Sequence, residues 1–138
     1  MSILSVHDIN YWAVLVAVVV NMAVGAVWYS PNVFGKTWSK LLGKKMEDMK
    51  ANGSTGYMVS TVGAVLQSFI LANLIRDMGI TTAMRGALLG ALVWIAFVAA
   101  ATAPDTVFSG RPWKLWKINT GYFLVVLLIN GALLSVWH

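Results

Sequence analysis

Four runs of apolar residues divide the chain, at 10–29, 56–75, 84–103 and 118–137, and each is almost free of charge. At about 1.5 Å per helical residue, a run of about 20 residues crosses the roughly 30 Å hydrocarbon layer of a bilayer. A soluble helical domain can bury one wholly apolar helix at its centre, but four in succession leave no polar face to meet water. The pattern predicts an all-α protein, a single integral-membrane domain over 1–138 folded as a four-helix bundle. Composition agrees: 59% of residues are apolar and 11% charged, where soluble domains carry roughly a quarter charged. The first run is not expected to be a cleaved signal, since no basic leader precedes it and it ends in bulky Trp28-Tyr29-Ser30-Pro31.

The few polar and small positions inside these runs say how the helices meet. In the first, Asn10, Ala13, Ala17, Asn21, Gly25 and Trp28 recur at three- and four-residue steps and share a face. Ser60, Ala64, Gln67, Ser68 and Ala72 form a similar strip in the second. The third carries Gly86 and Gly90 in a Gly-x-x-x-Gly pattern, and the fourth has Asn119 and Asn130 on one face. Small residues let backbones approach closely, and a mid-membrane amide needs a protein partner because lipid offers none. Asn21, Gln67 and Asn130 are therefore the candidate polar contacts, and Ala17, Gly25, Gly86 and Gly90 the candidate packing positions. Amides so placed ordinarily join helices, for about 1 kcal/mol each. The competing reading has them line a hydrophilic path.

The basic residues set a direction. Lys36, Lys40, Lys44, Lys45 and Lys50 lie in the connection 32–55, and Arg111, Lys114 and Lys117 in the third connection. Only Arg76 and Arg85 lie on the other side. The positive-inside bias then puts both long connections in the cytoplasm and both ends of the chain outside. Anionic lipid headgroups account for the net charge of +5, and no nucleic-acid partner is expected. Within 33–49, Phe34, Trp38, Leu41, Leu42 and Met49 alternate with lysines, as in a short amphipathic helix on the membrane surface, its length limited by Gly35 and Gly43. Lys36, Trp38, Arg111 and Trp113 are the candidate headgroup contacts.

One phrase is written twice. Pro31-Asn32-Val33-Phe34-Gly35-Lys36 and Trp38 return 73 to 75 positions later as Pro104-Asp105, Val107-Phe108, Gly110-Arg111 and Trp113. Ser54-Thr55-Gly56-Tyr57 returns as Asn119-Thr120-Gly121-Tyr122. Two helices separate the copies, which predicts two parallel repeats of a two-helix unit about a pseudo-two-fold along the membrane normal. In each copy Pro is expected to end a helix and Gly to permit a turn.

Catalytic chemistry finds little to use. The chain has no cysteine, its two histidines are His7 and His138, and no acidic residue falls within the four runs. No metal, cofactor or enzymatic activity is expected, and proton-coupled cation export would lack its embedded carboxylate. Gly25, Trp28 to Pro31, Phe34-Gly35-Lys36 and Trp38, with Asn119 and Gly121-Tyr122, resemble the small bacterial membrane proteins of domain-of-unknown-function family 1761. The resemblance runs from Asn10 to Trp137 and implies a helical protein of the bacterial inner membrane, with no established activity. Two roles stay open: a structural or accessory component, as a homo-oligomer or a subunit of a membrane complex; or a small transporter or channel for a neutral or anionic solute.

Overall fold

The computed structural model of the protein describes residues 4–44 and 53–138, and among them all regular structure is helical. Helix α1 is Tyr11–Trp28, α2 is Gly35–Leu42, and α3 is Gly53–Asp77. Then α4, Ala83–Trp94, passes through a π-helical turn, Ile95–Ala99, into α5, Ala100–Ser109, and α6 is Trp113–Val136. Four spans, α1, α3, the continuous Ala83–Ser109 and α6, are long and apolar enough to cross a membrane.

Local chemistry explains the ends of these helices. The Asn10 side chain accepts from the Trp12 and Ala13 amides at the start of α1, and Thr82 does the same for Arg85 at α4. Gly43 and Gly110, both in the left-handed conformation, close α2 and α5.

Packing centres on α6, which touches α1, α3 and α4, with α4 against α6 the most extensive pairing. Cross-helix contacts run in opposite number order. Trp28 meets Ile118 and Ala17 meets Asn130, while Trp94 meets Thr120 and Thr102 meets Trp116. The last span α6 is thus antiparallel to α1 and to the third span. Lys36, Lys40, Lys44, Arg111, Lys114 and Lys117 gather at one end of the bundle, the basic end, while Arg76 and Arg85 lie at the other. Lys45, Glu47, Asp48, Met49 and Lys50 fall outside the described residues.

The two Pro–Val-Phe–Gly phrases fold differently. Pro31 to Phe34 form a turn, and Gly35 opens α2. Pro104, expected to end a helix, lies inside α5, and Gly110 follows that helix instead of opening one. The third span is correspondingly longer than the run 84–103, and Asp105 lies on it. Proline removes one helical hydrogen bond. Ending the helix there would leave several backbone groups unpaired next to hydrocarbon, a larger cost than the single lost bond.

Candidate functional site

The glycines of α4 make its contact with α6 intimate. A Cβ at Gly86 would overlap Ser135 Oγ and the Gly131 carbonyl oxygen, and one at Gly90 would overlap the Leu127 carbonyl. Gly131 returns the contact against the Gly86 carbonyl. The Gly-x-x-x-Gly pattern is therefore used within the chain. Gly131 and Ser135 form its partner strip on α6, four residues apart and not singled out by the sequence reading. Trp94 lies on the same side, its Nε1 donating to the Thr120 carbonyl at 2.7 Å.

Polar groups join α1 to α6. Asn130 Nδ2 donates to the Ala17 carbonyl at 3.1 Å, and both residues are almost wholly buried. The Tyr122 hydroxyl lies against the Asn21 side-chain oxygen and 2.8 Å from the Asn21 carbonyl. Asn21 Nδ2, Asn130 Oδ1 and Ser68 Oγ, on three different helices, are buried without a hydrogen-bond partner among the described residues. A seam of amides and a hydroxyl thus runs through a core that also buries Asn73, Thr120 and Ser135.

Gln67 is placed elsewhere. Buried Ala64, Ser68, Leu71 and Ile75 mark the inner face of α3, and Gln67, one residue before Ser68, is turned about 100° away from it. It is exposed and makes no hydrogen bond within the described residues. Asn73, which the sequence reading passed over, is the buried amide of that helix: its Oδ1 accepts from the Ser5 amide at 2.7 Å and its Nδ2 donates to the Phe69 carbonyl at 3.0 Å.

A further set of cross-helix contacts lies at the basic end. Trp28 Nε1 donates to the Ile118 carbonyl at 2.8 Å, and the Tyr29 hydroxyl lies 3.0 Å from Asn119 Oδ1. Tyr29 packs against Trp38 at 4.7 Å between ring centroids and edge-on to Tyr122 at 5.9 Å. Two glycines make room for these rings: a Cβ on Gly25 would press on the Tyr122 ring, and one on Gly121 would press on Trp28. Gly35 is enclosed by the carbonyls of Tyr29 and Ser30, which fixes the reversal from α1 into α2. A family model described as a protein of unknown function (DUF1761) matches residues 12–135. The chain belongs to this family. Of the positions by which the sequence resembles DUF1761 proteins, Gly25, Trp28, Tyr29, Gly35, Trp38, Asn119, Gly121 and Tyr122 meet in this one knot, while Pro31 and Lys36 are exposed. No curated protein and no solved structure matches the chain.

Beside the knot is a cleft of about 450 Å³, with Met22, Ala26, Trp38, Tyr57, Ser60 and Phe123 among its lining residues. A second cavity of about 200 Å³ at the same end is lined by Thr102, Asp105, Arg111, Trp116 and Asn119. Arg111, Trp113 and Lys36 are exposed, and Trp113 packs edge-on against Trp116 at 5.4 Å. At the opposite end, Asp8, Arg76 and His138 line a cavity of about 140 Å³. That meeting of residues far apart in sequence was not legible from their spacing. Among the described residues no group of three or more His, Cys, Asp or Glu is placed to hold a metal ion.

Proposed function

We propose that this DUF1761 protein is a non-catalytic component of the bacterial inner membrane that works by self-association through α3. The observation that carries the reading is Gln67, an amide two residues from the midpoint of a 25-residue membrane-length helix, exposed and without a hydrogen-bond partner among the described residues. Hydrocarbon offers such an amide nothing, so a protein partner is favoured. Gly56 and Gly63 lie on the same strip of α3, and a Cβ on Gly56 would meet open space. A second helix can therefore approach closely there. An amide both donates and accepts, so Gln67 of two copies can satisfy each other about a two-fold axis.

The test uses the absence of native cysteine. A Gly63→Cys chain in native membranes should form a disulfide-linked dimer under mild oxidation. Gln67→Leu should weaken self-association in detergent about fivefold, the worth of roughly 1 kcal/mol, while leaving the melting temperature of the isolated chain unchanged. A wild-type chain that sediments as a monomer at every protein-to-detergent ratio would refute the reading.

Passage of a neutral or anionic solute is the second reading. Asn21 and Asn130 are almost wholly buried and tied to neighbouring helices, which gives water little access to them and favours association.

The orientation proposed is basic end inward, from six Lys and Arg against two among the described residues. Cysteine at position 44, replacing Lys44, should resist an impermeant thiol reagent in intact cells, and Arg85→Cys should react. The opposite labelling pattern would invert the orientation.

A further inference from the structure

We infer that the cleft beside the aromatic knot holds one anionic phospholipid, with its headgroup over α2 and an acyl chain running between α1 and α3. The cleft begins at Tyr29 and Trp38, at the basic end, and reaches Met22, seven residues back along α1. At about 1.5 Å per residue that is roughly 10 Å of depth along the helix. Its residues are apolar or uncharged, so it suits a chain of methylenes better than an ion.

The deciding group is Trp38. Its indole N–H is buried, has no acceptor within the described residues, and belongs to a ring that lines the cleft. The neighbouring tyrosines are already engaged, Tyr29 with Asn119 and Tyr122 with Asn21. What the cleft lacks is an acceptor oxygen at the depth where the chain leaves the hydrocarbon. A phospholipid carries its ester carbonyls at that level, directly above the acyl methylenes. Lys36 and Lys40, one helical turn apart and both exposed on α2, supply positive charge at the same end for the phosphate. Lysine stems that snorkel toward phosphate and a tryptophan at the interface follow the usual physics of helices at a membrane surface. Neither lysine lines the cleft: both lie about 160° round α2 from Trp38, so their charge is offered at headgroup level while the Trp38 ring lines the cleft.

Ser60 lines the cleft and lies seven residues before Gln67 on α3, so the cleft borders the Gln67 strip, and a lipid that fills the cleft is to be told apart from one held only between two associated chains. Lipid retention is therefore measured on both the wild-type and Gln67→Leu chains. Each is purified from membranes of equal phosphatidylglycerol and phosphatidylcholine content and examined by native mass spectrometry in mild detergent. One phosphatidylglycerol per chain should remain under conditions that strip phosphatidylcholine, in both chains alike. Trp38→Phe keeps the ring against Tyr29 and should lower retention about fivefold, as loss of one hydrogen bond would. Lys36→Gln with Lys40→Gln should abolish the preference for the anionic lipid without abolishing lipid retention. Ala26→Phe, at an exposed position lining the cleft, should fill the site and release the lipid while the chain melts as before. Equal retention by wild-type and Trp38→Phe, or by wild-type and Ala26→Phe, would overturn the proposal. So would lipid retained only by the self-associated form, or a water-soluble molecule found in the lipid's place.

Discussion

Gly90→Val should unfold this protein in detergent conditions where the wild type is stable. The Cβ at position 90 would overlap a backbone carbonyl, that of Leu127, and a backbone cannot rotate aside as a side chain can. Relief requires α4 and α6 to separate along the most extensive helix contact of the bundle. Overpacking of ordinary cores costs about 1–3 kcal/mol and occasionally more. With backbone against backbone on both sides of the crossing, the expected cost is about 3 kcal/mol or more. Gly86→Val should behave alike, since Gly131 and Ser135 close on it. Gly56→Val is the control: the position opens onto free space, and its effect on the melting of the isolated chain should stay within about 0.5 kcal/mol. Melting curves of the three variants decide the matter. Similar melting of Gly90→Val and Gly56→Val would mean that the α4–α6 crossing is looser than described.

The second large effect is expected at Tyr122. Its hydroxyl meets both oxygens of Asn21, and the Asn21 amide nitrogen already lacks a partner. Tyr122→Phe removes the hydroxyl and leaves the amide of Asn21 without any side-chain partner in a dry interior. Such a loss costs about 1–3 kcal/mol, because the desolvation of the remaining group is no longer offset. Asn21→Leu should cost at least as much, since a larger side chain must also fit where α1 meets α6. Asn21→Ala should be milder. Combining Asn21→Ala with Tyr122→Phe should cost less than the sum of the two single changes, because the second removes a group whose partner is already gone. If the two costs simply add, the pair does not interact and the seam is not held there. A water-filled solute path predicts a different result, with unchanged melting and a lost flux phenotype.

The fold class was legible because it depends on a crude quantity, the length of apolar sequence without charge. Contacts within a helix were legible in part. The three- and four-residue spacing of Ala13, Ala17 and Asn21 marks one face, and all three are buried. What they face is not written in that spacing. Tyr122 lies 101 positions from Asn21, and only the antiparallel register of α1 and α6 brings them together. Gln67 and Ser68 illustrate a finer limit. Adjacent positions on a helix differ by about 100°, and both could be drawn into a strip of small and polar residues. The choice between them depends on where α1 and α6 lie. Pro104 misled for a different reason: in water a proline ends a helix cheaply, whereas beside hydrocarbon the alternatives to a helix are more expensive.

The hub position of α6 bears on the order in which the protein can be built. Chains are made from the N-terminal side onward, and α6 leaves the ribosome after the three spans described before it. Until it arrives, α1 and α3 can pair, but α4 lacks the helix it chiefly packs against. Its notch at Gly86 and Gly90 then faces lipid or whatever protein attends insertion. A nascent chain halted before Trp113 would present that notch, together with the unengaged amide of Asn21, to the quality-control proteases of the membrane. Completion of α6 withdraws both signals in one step.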